Sequence, residues 1–428
     1  MVFCRNFCYN SIGDNMKKRI KVKPILMLLL LIISIIFFII YIGKDSKESK
    51  DILMLDLSTY TIEEVREYAK ENKISLTISE EYSDLDKNAV IRQSIKAGEV
   101  IKTKTLVVTV SNGISYKELY TTLKVNELGM VPVMMYHGIH NLKNDDTAYT
   151  GGNVDKDGYQ RTGEAFRKDL DFYYKSGYRM IRLEDYINGV IDVELGKSPI
   201  VLTFDDGLKN NINVLGLDEN NNIIIDPNSA VGILESYKKD YPDFNVTATF
   251  FVNGGLFQQS KYDEKILKWL VSNGYDIGNH TYNHYNLKNI DEFKVQKDVA
   301  SLYQKLDSII PNKYVNIIAL PFGSPFLESH SNFKYVLDGT YQEYTYHTIS
   351  TLKVGSTGNY SPFDKKYNIK FINRIRAYDN NGLNFDIEMN FKTLETNKYI
   401  SDGNKETVVI PESSKPNLNE SITNITIY

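Results

Sequence analysis

From residue 131 onward the chain alternates short apolar runs with amphipathic stretches, and nothing else constrains its fold as strongly. Residues 131–135, 199–204, 246–252, 275–278 and 314–320 read as strands, and 162–176, 229–241, 263–273 and 293–309 as helices between them. Continuously apolar strands separated by helices imply a parallel sheet or a (β/α) barrel. In such folds reactive side chains gather at the carboxyl ends of the strands. Three polar clusters fall there: Asp205-Asp206-Gly207, Asn279-His280 and Pro321-Phe322-Gly323. The Asn- and Asp-rich stretch 218–228 reads as a surface excursion. It lacks the glycine and terminal glutamate that an EF-hand loop requires.

The paired aspartates gain meaning from His280 and His284, four residues apart in Asn279-His280-Thr281-Tyr282-Asn283-His284. Asp-Asp-Gly alone commonly makes a turn, and a His-x3-His pair alone is often a surface feature. At two strand ends of one barrel they supply a carboxylate and two imidazoles for a divalent ion, Zn²⁺ or similar. Positions remain for water and substrate, and a spare carboxylate can act as base. That is the equipment of a metal-assisted hydrolase.

Thr203-Phe204-Asp205-Asp206-Gly207 and His280-Thr281-Tyr282-Asn283-His284 resemble the first two motifs of the polysaccharide deacetylases, the NodB-type carbohydrate esterase family 4. The resemblance covers roughly 131–400 and implies a distorted (β/α) barrel of NodB type. It implies Asp205 as general base and Asp206, His280 and His284 as metal ligands. Water would attack an N-acetyl carbonyl, releasing acetate and a free amine. The third motif maps onto Leu320-Pro321-Phe322-Gly323, with the Phe322 N–H as oxyanion donor.

The sequence departs from the family pattern twice. Ala319-Leu320 stand where an arginine usually orients the base, and no Leu-x-His follows near the C-terminus. Both gaps resemble the permuted branch found in poly-N-acetylglucosamine deacetylases, where the acid histidine comes from an N-terminal Tyr-His motif. Met134-Met135-Tyr136-His137-Gly138-Ile139 matches it, which implies His137 as general acid. His140 matches no motif and reads as a surface residue. Arg374, in Ile372-Asn373-Arg374-Ile375-Arg376, is the candidate replacement for the base-orienting arginine, although an ordinary strand-surface role is the favoured reading of it.

The N-terminal part sets the address. Residues 25–42 carry no charge and only Ser34 and Tyr41 as polar side chains. As a helix this stretch spans about 27 Å, close to the hydrocarbon thickness of a bilayer. Tyr41-Ile42-Gly43-Lys44-Asp45 offers no small-residue cleavage site, so residues 25–43 read as an uncleaved transmembrane anchor. Six basic residues and one acid (Asp14) give residues 1–24 a charge of +5, leaving −9 of the net −4 for the rest. That asymmetry predicts a cytoplasmic N-terminus and an extracytoplasmic remainder. The acidic bulk argues against nucleic acid as a partner. Met16 opens Met-Lys-Lys-Arg, a typical start for such a segment, so residues 1–15 are expected to be an upstream artefact. Cys4 and Cys8 both precede the apolar run, which leaves the remainder without disulfides.

Residues 44–51 form a polar linker. Residues 52–113 then show an αβ pattern in which Thr61 and Glu64 have capping-box spacing. With Gln93-Ser94 before Ala97-Gly98 and the closing run Val107-Val108-Thr109-Val110-Ser111-Asn112-Gly113, this stretch resembles a PASTA repeat, a type linked to cell-wall muropeptides. Residues 114–130 read as a connector, and 401–428, rich in Pro, Asn and Ser, as a loose tail.

These readings converge on an extracytoplasmic, membrane-anchored N-deacetylase of cell-wall glycan, peptidoglycan first. A poly-N-acetylglucosamine polymer is the alternative substrate. A non-catalytic glycan-binding or sensing protein is the third reading, disfavoured because binding alone requires neither a base nor a metal triad.

Overall fold

A computed structural model describes residues 31–35, 52–102, 104–355, 357–383 and 386–428. The expected span over 25–43 lies outside these except for 31–35, which are helical. No helix among the described residues is long and apolar enough to cross a membrane. The chain forms two compact units, Met1–Ile114 and Ser115–Tyr428.

In the first unit helix α1 (Ile62–Glu71) starts at Thr61, whose hydroxyl accepts from the Glu64 N–H while the Glu64 carboxylate accepts from the Thr61 N–H. The helix buries Val65 and Ala69 in a core with Leu106, Val108 and Val110. Those three belong to β3 (Thr105–Ser111), the central strand, which runs parallel to β1 (Ser75–Glu81) and antiparallel to β2 (Val90–Gln93).

The second unit is built on nine strands: β4 (Val133–Tyr136), β5 (Tyr178–Met180), β6 (Ser198–Phe204), β7 (Thr249–Val252), β8 (Asp276–Asn279), β9 (Ile317–Ala319), β10 (Ser350–Leu352), β11 (Phe371–Ile372) and β12 (Ile375–Arg376). Their order is β11-β10-β9-β8-β7-β6-β4-β12, with β5 also paired to β6, and every pairing is parallel. The two end strands are separated in the chain by only Asn373 and Arg374, and Gly355 bridges to Ile375. Because both ends of the path are the same stretch of chain, the sheet curls round on itself.

Successive residues face opposite sides of this sheet. Met134, Tyr136, Leu202, Phe204 and Phe250 pack against helices α2 (Gly163–Lys175), α3 (Ala230–Asp240) and α4 (Asp263–Ser272) through Phe166, Leu170, Val231, Leu234 and Leu267. Val133, Val201, Phe251, Ala319 and Leu352 form a second core. All seven residues of β6 are buried, which accounts for its unbroken apolar character. A further helix, α5 (Glu292–Ile309), packs Val295, Val299 and Tyr303 against Ile318 of β9.

Four expectations need correction. The 401–428 segment is folded rather than loose: Val408–Ile410 and Ile425–Ile427 pair in parallel, and Val408 and Ile410 join the second core. The connector contains a helix, Tyr116–Leu123, and leads into Glu127, a buried carboxylate that accepts from Val409 N–H and from the Tyr399 hydroxyl. The compact unit runs from Ser115 to Tyr428, beyond 131–400 at both ends. The 218–228 excursion overlaps an antiparallel hairpin, Val214–Leu217 with Ile223–Ile225. His140 is half-buried rather than on the surface, with Nε2 at 3.0 Å from the Gln160 side-chain oxygen.

Candidate active site

Strands β4, β6 and β8 each deliver a polar residue at the mouth of the curled sheet: His137, Asp205 and His280. Asp205 follows β6 and continues its ladder, its N–H donating to Tyr136 O at 2.9 Å. At Asp206 the chain turns with φ 72°, and at Gly207 with φ 58°. A Cβ on Gly207 would lie 2.0 Å from the Leu256 carbonyl oxygen, so only glycine fits this turn. His280 follows β8, and its N–H continues the ladder to Val252 O at 2.9 Å.

Asp206, His280 and His284 form one cluster, with their ligand atoms all within 4.8 Å of one another. Asp206 Oδ1 stands 3.3 Å from His280 Nε2 and 3.4 Å from His284 Nε2. Ligands held tetrahedrally at ~2.1 Å from one ion lie about 3.4 Å apart, so the cluster has the dimensions of a metal site. His280 Nδ1 lies 2.7 Å from Ala319 O and donates to it, which leaves Nε2 as the bare nitrogen facing the cluster. The donor set of one carboxylate and two imidazoles fits a divalent ion of zinc type.

Asp205 is not among the three cluster residues and is paired with an arginine. Arg374 is fully buried (0% exposed) and grips the carboxylate with both nitrogens, Nη1 to Oδ1 at 2.7 Å and Nη2 to Oδ2 at 2.6 Å. Burial alone would raise the Asp205 carboxyl, but the charges of Arg374 and of the nearby histidines outweigh it and hold it well below the usual range. Arg374 is held in turn by Thr203 Oγ1 at 3.2 Å and Lys353 O at 3.3 Å. The curl of the sheet brings it here, since Arg374 lies in the two-residue link between the end strands.

His137 follows β4, and its carbonyl accepts from Asn211 Nδ2 at 2.6 Å. Asn211 also accepts from Leu208 N–H at 2.9 Å, which ties the Asp-Asp-Gly loop to the His137 backbone. Burial pushes the His137 imidazole below its ordinary value, with Asp205 and Asp206 pulling the other way. After β9, Pro321–Gly323 make one turn of 3-10 helix. Gly323 N–H donates to Leu320 O and Ser324 N–H to Pro321 O. The intervening Phe322 N–H meets no carbonyl acceptor among the described residues. The Phe322 ring is 59% exposed and sits 4.9 Å from that of His284.

Four non-glycine residues of this site, Asp206, Thr281, His284 and Phe322, adopt positive φ between 55° and 72°. Such conformations persist only where the surroundings hold them. Thr281 N–H donates to Asn279 Oδ1 at 2.7 Å, and Asn283 N–H to the buried Asp298 of α5 at 3.0 Å. Asn253 Nδ2 holds the Asp206 carbonyl at 3.1 Å. Sequence reasoning missed Asn211, Asn253 and Asp298. The one signal for Asp298 is an acid on the apolar stripe of α5, beside Val295, Val299 and Leu302.

A curled parallel sheet that carries at its mouth a carboxylate–imidazole cluster of metal-ligand dimensions and a second, arginine-held carboxylate has the equipment of an α/β hydrolase. Residues 192–336 match the family model described as polysaccharide deacetylase, and residues 52–112 the PASTA domain. The chain carries a polysaccharide deacetylase domain of NodB type and a PASTA domain, and is a hydrolase acting on carbon–nitrogen bonds. The matched span contains Asp205, Asp206, His280, His284, Pro321 and Phe322, whereas His137 and Arg374 fall outside it.

Among solved structures the chain is similar to the Streptococcus pyogenes deacetylase PplD in complex with acetate, at 18% identity over 58% of this chain and 92% of that one, TM-score 0.42. It is similar to a de-N-acetylase from Aggregatibacter actinomycetemcomitans, at 12% identity over 62% and 98%, TM-score 0.38. It is also similar to the peptidoglycan deacetylase PdaC from Bacillus subtilis, at 26% identity over 32% and 55%, TM-score 0.22.

Proposed function

We propose that this chain is a membrane-anchored, extracytoplasmic, metal-dependent N-deacetylase that removes acetyl groups from amino sugars of cell-wall glycan, with peptidoglycan as its substrate. The observation that carries the chemistry is the division of labour between neighbours. Asp206 joins two imidazoles at ligand spacing, while the Asp205 carboxylate is held by both nitrogens of Arg374. The PASTA domain and the charge-free 25–42 run behind a basic N-terminus support the address.

Asp206, His280 and His284 would hold the ion, which supplies Lewis acidity toward a carbonyl oxygen and a water. Asp205 takes a proton from the attacking water. The free Phe322 N–H donates to the oxygen that gains charge as the acetyl carbon becomes tetrahedral. His137 gives a proton to the amide nitrogen as the carbon–nitrogen bond breaks, so acetate and an amine leave.

The position of the acid histidine, on the first strand of the sheet, favours a second substrate reading, poly-N-acetylglucosamine. The test is acetate release from purified peptidoglycan and from poly-N-acetylglucosamine by the full chain loaded with Zn²⁺, with Asp205→Asn as control. Release from peptidoglycan, abolished in the control, is expected. Release from the homopolymer alone replaces the substrate, and release from neither overturns both substrate readings.

A further inference from the structure

His137 has an unusual setting for a proton donor. Its Nδ1 is buried and has no hydrogen-bond partner, so no carboxylate or carbonyl fixes the angle of the ring. A histidine that moves protons normally has its second nitrogen held by such a group. The nearest ring instead belongs to Tyr159, edge-on at 4.9 Å between centroids and 68° between planes.

Tyr159 is itself firmly built in. The Asp155 carboxylate accepts from three backbone N–H groups of its loop, those of Asp157 at 2.9 Å, Tyr159 at 3.1 Å and Gln160 at 2.6 Å. Gly158, at φ 64°, lets the Tyr378 ring approach so closely that a Cβ there would lie 2.0 Å from Tyr378 Cδ2. Between the two tyrosines lies the Arg376 guanidinium, 5.1 Å from the Tyr159 ring centroid and 4.6 Å from that of Tyr378. Cation–π contacts of this kind favour one stacked arrangement of the rings. Arg376 pairs in register with Met135, two residues before His137.

We propose that Tyr159, clamped by Arg376, is the positioning residue of His137, replacing the missing hydrogen bond with a ring contact. The short segment Arg374-Ile375-Arg376 then serves both ends of the reaction. Arg374 holds the base Asp205, and Arg376 braces the ring against the acid. Ile375 between them points the other way, into the helix-covered core. This inference rests on the reading of His137 as the acid.

Turnover of the Zn²⁺-loaded full chain tests it, with kcat and KM separated for His137→Ala, Tyr159→Leu, Tyr159→Phe and Arg376→Met. A displaced catalytic group costs on the order of 10²-fold, so Tyr159→Leu should lose 10- to 100-fold in kcat. KM and bound metal should stay unchanged. Tyr159→Phe, which keeps the ring, should return turnover toward the wild-type level, and Arg376→Met should fall between them. If His137→Ala lowers kcat while Tyr159→Leu and Arg376→Met do not, the clamp is wrong. A rise in KM with kcat intact in Tyr159→Leu also overturns it, since the ring would then contact substrate. Full turnover in His137→Ala instead removes the reading on which the clamp rests.

Discussion

Arg374 and Asp205 lie 169 residues apart in sequence and meet as a buried, two-pronged ion pair, at 2.7 and 2.6 Å. Both side chains are almost wholly excluded from solvent, at 0% and 3% exposure. Removing one partner of such a pair leaves the other charge buried and uncompensated, at about 3–5 kcal/mol. Arg374→Met should therefore lower the melting temperature and raise the Asp205 carboxyl toward its ordinary range. Acetate release should fall about 10²-fold or more, because the base is no longer held in one orientation. Arg374→Lys, a point charge without the planar fork, should recover stability more than turnover. Wild-type melting and turnover in Arg374→Met would show that the pair is dispensable.

Asp206, His280 and His284 sit within ligand distance of one another but on different strand ends, so an ion would tie β6 to the segment after β8. A ligand bound only by the folded state stabilises it, by about 2.7 kcal/mol at a hundred times its dissociation constant. Chelation should abolish acetate release and lower the melting temperature of the wild type. Asp206→Asn should bind little metal, melt near the chelated wild type and respond weakly to chelator. Asp205→Asn should keep its metal and still lose about 10²–10⁴-fold in turnover. Metal analysis on the two aspartate variants separates the roles, and equal metal loss in both would contradict the division.

What was legible in the sequence was what is local. Asp205-Asp206-Gly207 and His280 to His284 each occupy one turn of chain, so their residue types and spacing carry the geometry. The strand–helix alternation was equally readable, because buried strands need unbroken apolar runs. Arg374 was named, yet Arg376 two residues on has the same chemistry. Only the curl of the sheet decides which of them reaches Asp205. The fold of the C-terminal segment was hidden by composition. Its short Val408-Val409-Ile410 run is outnumbered by polar neighbours and finds its partners at Glu127 and in the second core. Asn211, Asn253 and Asp298 support the site through backbone groups of distant loops, and such contacts leave no sequence pattern.

Gly207 is where the first motif meets its steric limit. Its φ of 58° suits glycine, and a Cβ would collide with the Leu256 carbonyl oxygen at 2.0 Å. Backbone oxygen does not yield as a flexible side chain does, so Gly207→Ala must displace the turn. Held strain of this type costs on the order of 1–3 kcal/mol. Because Asp206 precedes it directly, the shift should appear as weaker metal affinity as well as a lower melting temperature. Titration of Zn²⁺ into the apo-variant checks this, and an unchanged affinity would mean that the turn relaxes without moving Asp206.

Glu127 gives the fold a pH dependence that does not involve the active site. Burial, reinforced by Asp402, pushes its carboxyl up to about 8, against the pull of the Val409, Tyr399 and Asp402 donors. A carboxyl whose folded value exceeds its unfolded value, here 4.5, takes up a proton on folding between the two. Its contribution to stability is complete below the unfolded value and declines as pH rises toward the folded one. The slope cannot exceed about 1.4 kcal/mol per pH unit for one group. The wild type should therefore lose melting temperature between about pH 5 and pH 8 through this carboxyl, and Glu127→Gln should flatten that segment of the curve. Since Glu127 anchors the backbone at Val409, exchange of the amide protons of 408–410 should quicken over the same interval in the wild type. Parallel melting curves for the two proteins across this range would show that Glu127 is ionised in the folded state throughout.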